Sequence, residues 1–237
     1  MYSNTCYTVS IINFIASCGI KPTNRIVGGS EAGPFSLPWQ VALVLRGTNR
    51  FNCGGTLISD RHVLTAAHCG TSYDVMVGEH SLSGSSDGTR HTVCRAVKHP
   101  DYKIPDGRIN NDYAIFTLTQ PVTIGTRANY ACLPSSDLGG SFLDDKNMTV
   151  SGWGQLGSGQ SGPDRLYTVN LPGVTNAECS SLNMPIATNP IPITDRMLCA
   201  GRTGGSSPVG ACFGDSGGKI NKFYNPLINN ILYDKCF

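Results

Sequence analysis

The chain has 237 residues, of which 40% are hydrophobic and 14% charged, and its formal net charge is +2. So small a charge does not indicate a nucleic-acid partner or binding to an anionic membrane surface, and no apolar run reaches the roughly 18 residues that a membrane-spanning helix needs. Its 10 cysteines are not spaced as zinc-binding pairs, so they favour disulfides in an oxidising compartment. We therefore expect a secreted, extracellular protein.

Residues 1–25 are expected to be a leader or propeptide. Their apolar run, residues 9–17, follows no basic stretch, which argues against a working signal peptide. Cleavage after Arg25 would create a new α-amine on Ile26, and the apolar end could carry this amine inward to a carboxylate such as that of Asp215. The alternative is an ordinary strand entry with a Gly-Gly turn.

Short apolar segments separated by turn residues predict β-strands through the rest of the chain. We expect strands at 38–45, 51–59, 73–78, 92–98, 113–118, 148–154, 165–171 and 197–201. No segment has a sustained helical period, and residues 176–182 predict one short turn of helix. Such spacing is typical of an all-β barrel or sandwich.

His68 differs from the other four histidines because small residues surround it and Cys69 follows it. Imidazole transfers protons near neutral pH. A disulfide from Cys53 to Cys69 would close a loop of about 15 residues, worth roughly 3 kcal/mol in the chain-entropy model. We expect the remaining histidines to be surface or structural residues.

Two further residues are candidates for chemistry. Asp112 opens an apolar strand, where a carboxylate is costly unless it is hydrogen-bonded, for example by a histidine N–H; the alternative is a turn residue at a strand edge. Ser216 lies between glycines, whose backbone can approach a substrate closely, and Gly214 and Ser216 offer N–H donors for an oxyanion. The alternative here is a glycine-rich turn with a polar tip.

The order of four motifs decides between these interpretations. The motifs are Arg25-Ile26-Val27-Gly28-Gly29, Thr65-Ala66-Ala67-His68-Cys69, Asn111-Asp112 and Gly214-Asp215-Ser216-Gly217-Gly218. In this order they resemble the chymotrypsin/trypsin family of serine endopeptidases, in particular its arthropod members. The resemblance implies an all-β fold of two antiparallel β-barrels, residues 26–133 and 134–218, with the active site in the cleft between them.

The resemblance also assigns roles. Ser216 would be the nucleophile, His68 the general base and then acid, and Asp112 the residue that orients His68. The amides of Gly214 and Ser216 would form the oxyanion hole. Cleavage between Arg25 and Ile26 would activate a zymogen, with the Ile26 amine paired to Asp215. The implied disulfides are Cys53–Cys69, Cys179–Cys199 and Cys18–Cys132.

The same resemblance implies polypeptide substrates and an activating protease, and it allows a protein inhibitor as a further partner. No cofactor is expected, and no metal either, because only Asp87 follows Glu79 in the loop where a calcium site would need several acids. Gly210 would lie at the base of the substrate pocket. Since it carries no carboxylate, an apolar or aromatic substrate side chain is favoured over a basic one.

After Gly218 the sequence departs from the family pattern. Residues 219–237 form an atypical tail, so we expect a truncated or divergent C-terminal region and an incomplete second barrel. This departure leaves two alternatives to an active protease. One is a catalytically impaired homologue that acts as a binding or regulatory protein, and the other is a truncated product that does not fold stably.

Overall fold

The computed structural model describes residues 18–19, 30–83, 87–102, 110–133, 147–156, 161–181, 193–194, 197–201, 216, 220–221 and 230–232. The chain forms a closed barrel followed by a second sheet. The strands are β1 (Ser30–Glu31), β2 (Gln40–Leu45), β3 (Phe51–Leu57), β4 (His62–Thr65), β5 (Tyr73–Val77), β6 (Thr89–Lys98), β7 (Ala114–Leu118), β8 (Asn147–Gly152), β9 (Tyr167–Val174), β10 (Met197–Ala200), β11 (Ile220–Asn221) and β12 (Asn230–Leu232).

The first barrel closes in the order β2-β3-β4-β7-β6-β5, with every neighbouring pair antiparallel. Strand β7 shows why it forms: Ala114, Phe116 and Leu118 are fully buried, while Ile115 between them is 38% exposed. Side chains alternate between the two faces of a strand, so one face of β7 points into the barrel. Burial of a side chain such as Phe116 contributes about 1.5–3 kcal/mol.

The second sheet has the order β11-β8-β9-β10-β12, with β1 paired to β9. Its pairs are antiparallel except that of β10 with β12, which is parallel. Over the described residues this sheet does not close on itself. The predicted all-β, chymotrypsin-like architecture is confirmed, and the second half contributes an open sheet in the part of the chain that the structure describes.

The predicted strands agree with the structure, and the predicted helical turn is α1 (Asn176–Ser181). Strand β6 begins three residues earlier than its apolar pattern suggested, because Thr89, Arg90 and His91 pair with β5. The elements that were not predicted are the four-residue strand β4, the two-residue strands β1 and β11, the three-residue strand β12 and a 3₁₀ turn at Ala67–Cys69. Elements this short carry no periodicity to detect.

All three expected disulfides form, linking Cys18 to Cys132, Cys53 to Cys69 and Cys179 to Cys199. Cys94 on β6 is also disulfide-bonded. None of the helices in the described ranges is long and apolar enough to cross a membrane.

Candidate active site

The 3₁₀ turn at Ala67–Cys69 carries His68 out of the barrel wall. Ala66 and Ala67 are buried, whereas His68 is exposed between them and the buried Cys69. Gly70 ends the turn at a φ of 97°, a backbone conformation that strongly favours glycine. Small residues therefore let the chain turn tightly against the core while one imidazole projects outward.

Strand pairing brings His68 and Asp112 together although 44 residues separate them. Thr65, the last residue of β4, pairs with Ala114, the first residue of β7. His68 follows the end of β4 and Asp112 precedes the start of β7, so both lie at the same edge of the barrel. Asn111 has a φ of 52° and turns the chain just before the carboxylate.

The carboxylate of Asp112 accepts two hydrogen bonds from one residue. The backbone N–H of His68 donates to Oδ1 at 2.8 Å, and the ring Nδ1 of His68 donates to Oδ2 at 2.6 Å. The Asp112 side chain is only 6% exposed and the imidazole is 34% exposed. Because an ionised carboxylate only accepts hydrogen bonds, Nδ1 carries a proton, and in the neutral ring the lone pair is therefore on Nε2, which is the tautomer that a general base requires.

Ser216 lies against the disulfide that encloses the His68 loop. Its carbonyl oxygen accepts a hydrogen bond from the backbone N–H of Gly54 at 2.7 Å and is 3.9 Å from Sγ of Cys69. Gly54 follows Cys53, and Cys69 follows His68. The structure therefore brings the backbone of Ser216, together with His68 and Asp112, to one edge of the first barrel.

Several predicted site residues lie outside the described part of the chain: Arg25, Ile26, Gly210, Gly214 and Asp215. Their roles stay predictions.

The structure adds Tyr102, which sequence reasoning did not select. Burial raises the pKa of its phenol, and the negative charge of Asp112 raises it further. Nζ of Lys98 lies 5.1 Å from the centre of the Tyr102 ring. Ten residues separate Tyr102 from Asp112, so only the fold reveals that they are neighbours.

One group of metal-ligating side chains occurs in the described residues, formed by Cys53, His68 and Cys69. Both cysteines are used in their disulfide and offer no thiolate. The donor set therefore does not fit a metal centre, whereas the imidazole remains available for proton transfer.

The other histidines have structural partners. His62 Nδ1 lies 2.8 Å from the hydroxyl of Ser59, and the ring of His99 lies 4.6 Å from that of Tyr113. Burial lowers the pKa of His62, and of His91 as well.

Comparison with known proteins identifies the family. The model of the family described as Trypsin matches residues 26–222. The chain belongs to the trypsin family. The sequence was expected to depart from the family pattern after Gly218, and the match ends four residues later, at residue 222. By family this trypsin homologue is a serine endopeptidase.

Individual relatives agree with this assignment. The vitellin-degrading protease of Bombyx mori is 35% identical over 91% of this chain and 78% of its own. The clotting factor G beta subunit of Tachypleus tridentatus is 32% identical over 90% of this chain and 71% of its own. Human kallikrein-15 is 33% identical over 87% of this chain and 79% of its own. Neuropsin, a serine protease expressed in the limbic system of mouse brain, superposes with a TM-score of 0.68 at 31% identity, covering 82% of each chain.

Proposed function

We propose that this trypsin-family protein is a secreted endopeptidase that hydrolyses peptide bonds with Ser216, His68 and Asp112. The observation that carries the proposal is the 2.6 Å hydrogen bond from His68 Nδ1 to the buried Asp112 carboxylate, which leaves Nε2 of a partly exposed imidazole as the base. The Ser216 backbone is held beside the same loop by Gly54, and the Ser216 hydroxyl is the proposed nucleophile.

The proposed reaction follows from these groups. Nε2 of His68 takes the hydroxyl proton of Ser216 as its Oγ attacks the substrate carbonyl, and Asp112 stabilises the imidazolium that forms. The amides of Gly214 and Ser216 donate to the developing oxyanion. His68 then protonates the leaving amine, and water hydrolyses the acyl-enzyme by the same route in reverse.

The proposal includes zymogen activation. Cleavage by an activating protease between Arg25 and Ile26 would release an α-amine that pairs with Asp215, beside the nucleophile. Such a buried pair is strongly coupled, because removing one partner costs about 3–5 kcal/mol. A protein inhibitor that occupies the same cleft would be a further partner.

Substrate preference is proposed from Gly210. A pocket without a carboxylate at its base would leave a lysine or arginine side chain unpaired on burial, so substrates with an apolar or aromatic side chain before the scissile bond are expected to be cleaved faster. A peptide library that differs at this position measures the preference, and faster cleavage after arginine would contradict it.

A second function is supported by one observation. After Gly218 the sequence departs from the family pattern that supplies part of the substrate-binding wall, and the family match ends at residue 222. A catalytically impaired homologue that binds proteins without cleaving them is therefore the alternative.

Labelling by a fluorophosphonate distinguishes the two. The full chain is produced with its disulfides formed and cleaved after Arg25, with the new Ile26 terminus checked by N-terminal sequencing. Stoichiometric labelling that disappears in Ser216→Ala supports the endopeptidase. A folded protein that is not labelled, and that still binds a protein partner, supports the homologue.

A further inference from the structure

The buried hydroxyl of Thr65 connects the two segments that carry His68 and Ser216. Thr65 is 3% exposed, and its Oγ1 donates to the carbonyl oxygen of Gly54 at 2.8 Å. The N–H of the same Gly54 donates to the carbonyl oxygen of Ser216 at 2.7 Å. The carbonyl of one residue of β3 is thus bonded to the strand that leads to the base, and its N–H is bonded to the backbone of the nucleophile.

Gly54 is available for both bonds because the ladder between β3 and β4 is short. Their pairing covers only Thr56 with Leu64 and Leu57 with Val63. Continued in register, it would place Ala66 opposite Gly54, but the chain turns there into the 3₁₀ turn. In an antiparallel strand the N–H and C=O of one residue face the same neighbour. The N–H and C=O of Gly54, which a longer ladder would have paired with β4, are therefore bonded by the Ser216 carbonyl and the Thr65 hydroxyl.

We propose that Thr65 is a positioning residue for Ser216, acting through Gly54. This inference rests on the proposed function. Thr65 lies three residues before His68, so its hydroxyl fixes Gly54 relative to the loop of the base, and Gly54 fixes the Ser216 backbone. Without the hydroxyl, the Gly54 carbonyl would lose a buried partner, and β3 could shift away from the nucleophile. A displacement of about 1 Å between reacting groups can cost on the order of 100-fold in rate.

The alternative is that Thr65 only satisfies a buried carbonyl. It would then contribute to stability, but the folded protein would hydrolyse substrate equally well without it. The two roles differ in the turnover of the folded fraction, so both turnover and folding must be measured.

The test compares Thr65→Val, which keeps the shape but removes the hydroxyl, with Thr65→Ser, which restores it. Ser151→Ala is the matched control, because it removes another buried hydroxyl, whose bond goes to Oε1 of Gln40 instead. We expect Thr65→Val to lower kcat by about 10- to 100-fold with KM changed less than about twofold. Thr65→Ser should return kcat to within about threefold of the parent, and Ser151→Ala should leave it within about twofold.

A second readout does not depend on activity. Amide exchange of Gly54, followed by NMR on glycine-labelled protein, should be about tenfold faster in Thr65→Val than in the parent, and unchanged in Ser151→Ala. If the parent neither hydrolyses peptides nor reacts with a fluorophosphonate, the proposed function fails, and the exchange rate still decides the positioning role. The inference would be overturned if Gly54 exchanged at the same rate in Thr65→Val as in the parent. It would also be overturned if the parent were active and Thr65→Val had the same kcat.

Discussion

At the scale of single residues, the pair of hydrogen bonds accepted by Asp112 fixes which nitrogen of His68 can act as a base. Both carboxylate oxygens are used, one by the backbone N–H and one by Nδ1. In Asp112→Asn the amide oxygen would keep the backbone bond, and the NH₂ group would face Nδ1. Nδ1 would become the acceptor and the ring proton would move to Nε2. We expect kcat to fall by about 10⁴-fold with little change in fold.

Steady-state kinetics and circular dichroism on the cleaved protein measure this effect. Asp101→Asn serves as the control, because Asp101 is an exposed acid on the loop near Tyr102 and does not bond His68. A loss below about tenfold in Asp112→Asn, with the control unchanged, would show that the tautomer of His68 does not limit the reaction.

At the scale of elements, the two-residue strand β1 is held by side-chain contacts as well as by its short pairing with β9. Oε1 of Glu31 accepts from Nε2 of the buried His80 at 3.1 Å and from Nη1 of Arg165 at 3.0 Å. Both bonds lower the pKa of Glu31 below its ordinary value of 4.5, and the bond from His80 has the larger effect. A carboxyl with a depressed pKa adds stability that is present above its unfolded pKa and is lost as the pH falls through the folded pKa.

Glu31→Gln should therefore lower Tm near pH 7, and the difference from the parent should shrink as the pH falls below about 4. Thermal unfolding at a series of pH values checks this. Glu178→Gln, on the exposed face of α1, removes the same charge without the His80 contact and should shift Tm little. A Tm difference for Glu31→Gln that stayed constant down to low pH would contradict the role assigned to the carboxylate.

The elements also show what the sequence predicts and what it leaves open. Strand β7 was predictable because Ala114, Phe116 and Leu118 alternate with more exposed positions, and His68 was predictable because small residues frame it. The proximity of Tyr102 to Asp112 was not predictable, since it follows from the pairing of β6 with β7 and not from a local pattern. Strands β1, β11 and β12 exist only through their partners, and no local pattern of two or three residues encodes a partner.

At the scale of the whole molecule, Trp153 joins the second sheet to the first barrel. It follows β8, yet its 1% exposed side chain belongs to the core of the barrel. Its ring meets Phe51 edge to face, with centroids 5.7 Å apart, and its Nε1 donates to the carbonyl of His80 at 3.1 Å. A large aromatic side chain shared by both halves should make them unfold together.

Trp153→Ala should lower the free energy of unfolding by about 3–5 kcal/mol, a large part of the roughly 5–15 kcal/mol that a typical protein has. Trp153→Phe should cost far less, because a ring remains against Phe51 and the His80 carbonyl still accepts from the N–H of Leu166 at 2.9 Å.

Urea unfolding followed by circular dichroism and by fluorophosphonate labelling measures both variants. The two probes should give one coincident transition in the parent and separate transitions in Trp153→Ala, because the largest fully buried side chain that the two halves share is then lost. A Trp153→Ala variant as stable as Trp153→Phe would mean that the two halves are held together elsewhere.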